Sequence, residues 1–129
     1  MRDLLVLILG IAILTSCVLI DEETKLIMSP TTKYSLKATV NRTNKAKPNY
    51  GFVIIHVYKS HQEIFDFNSG AGDVQKWALG WTTKGDTIIL QTSDIGDRAW
   101  SIRPLGPAEI KMTKDLHKRA SELKAEKFK

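Results

Sequence analysis

Chemistry in this chain would have to be built from three histidines, one cysteine and a scatter of carboxylates. His56, His61 and His117 lie far apart. Neither His-x-x-x-His nor His-Glu-x-x-His, the spacings that set two imidazoles on one side of a helix for zinc, occurs. His61-Gln62-Glu63 copies the opening of a deaminase signature, but the Pro-Cys-x-x-Cys that completes its metal site is missing. There is no Gly-x-Ser-x-Gly elbow to activate a serine, and Gly70-Ala71-Gly72 lacks the third glycine and the helix of a dinucleotide loop. Asp94-Ile95-Gly96-Asp97 offers too few oxygen ligands for calcium and reads as a polar turn. What remains is His56 with Asp66, which alternation places on one side of neighbouring strands, where imidazole and carboxylate form an acid–base pair. One such pair is a slender basis for catalysis. The expectation is a protein that is not an enzyme, with no metal ligand set and no cofactor.

The remaining signal is charge and its distribution. The chain has 129 residues, with 19 Lys plus Arg against 14 Asp plus Glu, a formal net charge of +5. That length supports one domain, and a single cysteine excludes both a disulfide framework and a zinc site made of several thiolates. Lys33, Lys37, Arg42, Lys45 and Lys47 follow one another without an intervening acid, and a second basic excess lies between Lys111 and Lys129. Charge alone would suggest a nucleic-acid partner. The amino terminus argues against one.

After Met1-Arg2-Asp3 come eleven residues, Leu4 to Leu14, whose only non-aliphatic member is Gly10. A short n-region followed by such an h-region reads as an export signal. It ends in Leu14-Thr15-Ser16-Cys17, which resembles the lipobox of bacterial lipoproteins. The resemblance covers the targeting segment alone. It implies that residues 1–16 are a signal peptide cut off before Cys17, and that Cys17 is the lipidated first residue of the mature chain. It also implies a membrane anchor made of acyl chains and, since Val18 rather than aspartate follows the cysteine, the outer membrane in preference to the inner one. The alternative anchor is an uncleaved apolar segment, because Val18-Leu19-Ile20 prolong the apolar run towards the length of a membrane span. Both readings place the rest of the chain outside the cytoplasm, facing the periplasm.

Residues 17–33 hold the anchor and a polar tether, with Lys25 to Met28 as an optional edge strand, and residues 34–129 form the domain. Strands are expected near Tyr34 to Val40, Phe52 to Tyr58, Glu63 to Asn68, Gln75 to Trp81, Thr87 to Ser93 and Ala99 to Arg103. Asn41 to Asn49 makes a long loop, while Lys59-Ser60-His61, Ser69 to Asp73, Lys84-Gly85-Asp86 and Asp94 to Asp97 make turns. These turns are too short for crossover helices, so successive strands should pair antiparallel. Pro107 can open a helix whose stripe, Ile110, Thr113, Leu116, Ala120 and Leu123, recurs at three- and four-residue steps. The expected fold is α+β: an antiparallel β-meander of five or six strands with one C-terminal amphipathic helix packed on a face.

Period-two reading puts Leu36, Val53, Ile55, Val57, Phe65, Phe67, Ile88, Leu90 and all three tryptophans on one face, the core. The other face mixes Lys37, Thr39, Phe52, Ile54, His56, Tyr58, Ile64, Asp66, Lys76, Ala78, Ile89, Gln91 and Arg103. Phe52, His56, Tyr58, Lys76 and Arg103 are the candidate binding residues on it. The leading functional expectation is a small non-enzymatic lipoprotein that binds an envelope protein or an anionic envelope polymer, through this mixed face or through the loop Asn41 to Asn49. An immunity or inhibitor protein of the periplasm is the second reading. An anchored domain with an acid–base site at His56 and Asp66 is the third.

Overall fold

The structure, a computed structural model, describes residues 20–41, 51–73 and 75–129. The signal segment, Cys17 and most of the loop Asn41 to Asn49 lie outside the described residues. Among those described, no helix is long and apolar enough to cross a membrane.

The chain forms nine strands and one helix among the described residues. The first sheet contains β1 (Ile20–Glu23), β2 (Ile27–Met28), β3 (Ser35–Asn41), β4 (Phe52–Lys59) and β5 (Gln62–Gly72). Its order is β1-β3-β4-β5, with β2 also paired to β3. The second sheet is a plain meander of β6 (Trp77–Trp81), β7 (Thr87–Thr92), β8 (Arg98–Arg103) and β9 (Gly106–Ile110), and α1 (Lys114–Lys127) ends the chain. Every pairing is antiparallel. The class is α+β, mostly antiparallel sheet with one C-terminal helix.

The expectation of one meander of five or six strands is corrected: the strands divide into two sheets that face each other. Leu36, Val53, Ile55 and Val57 of the first sheet and Trp77, Trp81, Ile88, Leu90 and Trp100 of the second form one buried cluster. These are the residues that period-two reading assigned to the core. Alternation identifies the apolar side of each strand, but two inner faces packed together give the same pattern as one face beneath a helix. Phe67 meets Trp100 edge-on across the layers, ring centroids 5.1 Å apart, a geometry that adds about 0.5–1.5 kcal/mol to area burial. Two of the three tryptophan nitrogens have partners in this structure: Trp81 Nε1 donates to the Ile27 carbonyl at 2.9 Å and Trp77 Nε1 to Asp73 Oδ1 at 2.7 Å.

The far side of the second sheet carries a smaller core, in which Ala78, Ile89 and Ala99 meet Ala120 and Leu123 of α1. The molecule therefore has three layers: sheet, sheet, helix. The middle layer is buried on both faces, which is why all five residues of β6 are buried.

Three further corrections concern boundaries. The helix begins at Lys114, with Thr113 as N-cap accepting from the Leu116 N–H, and not at Pro107. Pro107 and Ile110 belong to the edge strand β9, where proline's missing N–H can be spared. Ser69 to Gly72, expected in a turn, prolong β5. The segment read as a tether docks from Ile20 onward, because β1 and β2 both pair with β3.

Candidate functional site

Among the described residues, two places stand out as gathering groups able to bind something. The first is the outer face of the first sheet. β4 and β5 are joined by the two-residue turn Ser60-His61, closed by the Lys59–Gln62 pair. In the ladder that follows, Tyr58 pairs with Glu63 while Val57 pairs with Phe65, so Ile64 is an inserted residue and the strand bulges. Glu63 and Asp66 stand three residues apart and would point to opposite faces of a regular strand. The bulge turns them to the same face. His56, directly opposite Asp66, lies between them: its Nδ1 hydrogen-bonds Glu63 Oε1 and sits 4.0 Å from Asp66 Oδ2. From the other side, Thr39 of β3 holds His56 Nε2 at 2.8 Å. The imidazole is 17% exposed and the two carboxylates 41% and 59%, so the ring is fixed and its partners are open to solvent.

The second is a groove of about 560 Å3 along the outer edge of β6, between α1 and the segment from Thr24 to Pro30. Its floor is apolar, with Trp77, Leu79, Trp81 and Leu123, and Met28 on its wall. Lys76 O accepts from the Ser93 N–H and the Thr82 N–H donates to Thr87 O, so the ladder to β7 uses the even-numbered residues. The main-chain groups of Trp77, Leu79 and Trp81 consequently face the groove. No described strand pairs with this edge. Cations from α1 cap two of its carbonyls: Lys127 Nζ donates to Trp77 O at 2.7 Å and Arg119 Nε to Trp81 O at 2.8 Å. Lys25 is a third cation on the groove lining; Arg119 is itself paired with Glu122 at 3.2 Å and Glu126 at 3.5 Å.

The sequence-derived binding residues do not form one surface. Phe52, His56 and Tyr58 share the outer face of β4. Lys76 lies beside the second sheet, its Nζ 5.1 Å from the centre of the Phe128 ring at the end of α1. Arg103 ends β8 and donates from Nε to Ser101 Oγ at 3.2 Å. What was read as one mixed face is two faces on opposite sides of the molecule, and α1 covers Ala78 and Ile89 of the second. Glu63 was missed, because strict alternation assigns it inward. The groove was missed because it depends on which strand is left at a sheet edge.

Comparison with known proteins finds no match: no family model, no curated protein and no solved structure is similar enough to place the chain in a family.

Proposed function

We propose that this chain is a non-enzymatic, lipid-anchored binding module on the extracytoplasmic side of a bacterial membrane, preferentially the outer one, and that it holds an extended peptide segment of an envelope protein in the β6 groove. The observation that carries the binding reading is the β6 edge itself. No described strand pairs with it, and a guest strand that displaces the Lys127 and Arg119 caps from Trp77 O and Trp81 O gains backbone hydrogen bonds for affinity, while flanking pockets supply specificity. The apolar floor suits alternate apolar side chains of the guest. The excess of cations around it suits a guest bearing an acidic residue or a terminal carboxylate. The anchor reading rests on Leu14 to Cys17. Two or three acyl chains make membrane residence effectively permanent without help from basic residues.

The test uses the full chain in its own envelope. A photo-crosslinking side chain at Met28, on the groove wall, should give one discrete protein adduct that disappears when Lys25→Glu and Lys127→Glu are combined. The same side chain at Leu105, fully exposed on the β8–β9 turn, should give none. Equal adducts from both positions, or no adduct from Met28, overturn the groove assignment. Cys17→Ser tests the anchor separately: intact mass should lose the acyl increment and fractionation should change, and a mass without acyl groups in both forms sinks the lipoprotein reading.

A further inference from the structure

We infer that His56, Glu63 and Asp66 form a binding site for a divalent transition-metal ion such as Zn2+, on the outer face of the first sheet and separate from the β6 groove. Each residue offers one donor atom, the imidazole Nδ1 and two carboxylate oxygens, and the three atoms lie within 4.8 Å of one another. An ion bound at about 2.0–2.2 Å from each donor requires Glu63 Oε1 to draw back from its hydrogen bond to Nδ1, and Nδ1 and Asp66 Oδ2 to stand slightly closer than 4.0 Å. The half-exposed Asp66 side chain can make that adjustment by rotating. The ion then takes the place of the hydrogen bond between His56 Nδ1 and Glu63, and the imidazole holds it as the neutral tautomer that carries its proton on Nε2.

Three features distinguish this cluster from acidic residues that happen to be neighbours. A bulge at Ile64 is what brings Glu63 onto the face of Asp66, and bulges characteristically re-aim a side chain beside a working site. The imidazole is oriented from behind by Thr39 Oγ1 at 2.8 Å, as metal-bound histidines are by their outer partners; in the metal-bound form Nε2–H donates to Thr39 and the lone pair of Nδ1 goes to the ion. A neutral imidazole with two carboxylates also balances the charge of a dication. Lys37, opposite His56 on β3, is the cation facing the cluster from that side, with its Nζ 5.8 Å from the Tyr58 ring centre. One nitrogen and two oxygens without a thiolate suit a borderline transition ion better than calcium or magnesium, which prefer all-oxygen shells. Three protein donors leave a coordination position open for water.

The experiment is calorimetric titration of Zn2+ into the full chain in mild detergent, carrying Cys17→Ser so that its single thiol contributes no ligand. One ion per chain is expected, with binding that weakens on acidification and a thermal midpoint that rises with free Zn2+. Glu63→Gln and Asp66→Asn, both at exposed positions where folding is not at stake, should each weaken binding at least about tenfold, and His56→Ala should abolish the visible absorption of bound Co2+. Thr39 is a positioning residue, and Thr39→Val should cost about 10–100-fold in affinity. The inference is overturned if no Zn2+ binds, if both carboxylate variants bind as the parent does, or if Ca2+ competes on equal terms.

Discussion

Ser60 and His61 both hold positive φ, at 52° and 64°, in the two-residue turn that aligns β4 with β5. A turn of this kind matches strand twist and is normally filled by Asn-Gly, because side chains beyond glycine and asparagine are strained in the left-handed region. Replacing Ser60-His61 with Asn-Gly should stabilise the protein by about 0.5–2 kcal/mol, read as a raised denaturant midpoint with an unchanged slope. A lowered midpoint would mean that the two native side chains contribute contacts outweighing the strain. The turn was legible in the sequence, and so was the His56–Asp66 juxtaposition, since both follow from local chemistry and period two. Glu63 was not: one inserted residue inverts the parity of everything before it, and Ile64 is not a glycine that would announce a bulge.

At the scale of elements, the contact between α1 and β6 sets how closely helix and sheet can approach. A Cβ built on Gly80 would stand 2.4 Å from Leu123 Cδ2, well inside contact distance, so Gly80 is what lets Leu123 seat against the sheet. Gly80→Ala should cost about 1–3 kcal/mol by overpacking. Leu123→Ala, which vacates that space, should cost about 2–5 kcal/mol. Combined in one chain, the two changes should cost less than their sum, because the new methyl group enters the space that the leucine has left. A double-mutant cycle by chemical denaturation measures the coupling, and strict additivity would contradict the seating of Leu123 over Gly80. The stripe of Leu116, Ala120 and Leu123 was readable from its spacing. The start of the helix was not, because Ile110 continues that spacing by coincidence while Pro107 serves an edge strand equally well.

At the scale of the molecule, the division into two sheets was the least legible feature. Residues 68–77 decide it: β5 runs on to Gly72, β6 begins at Trp77, and these consecutive strands do not pair with each other. Nothing in the alternation of either strand encodes that departure, which is settled by how much apolar area the two inner faces can hide from water. The signal that was present is the composition of the middle layer, since Trp77-Ala78-Leu79-Gly80-Trp81 has no polar member and so asks for cover on both faces. Three layers assign α1 a definite task. Without it, Ala78, Ile89 and Ala99 would face water, and the cations that cap the β6 carbonyls would be gone. A chain ending at Met112 should therefore keep its strand content but bind an apolar dye and self-associate through that bare face. Size-exclusion elution and dye fluorescence check this directly. A monomeric truncated form that unfolds at the parent's denaturant midpoint would show that the two sheets are self-sufficient and that the helix is an accessory to them.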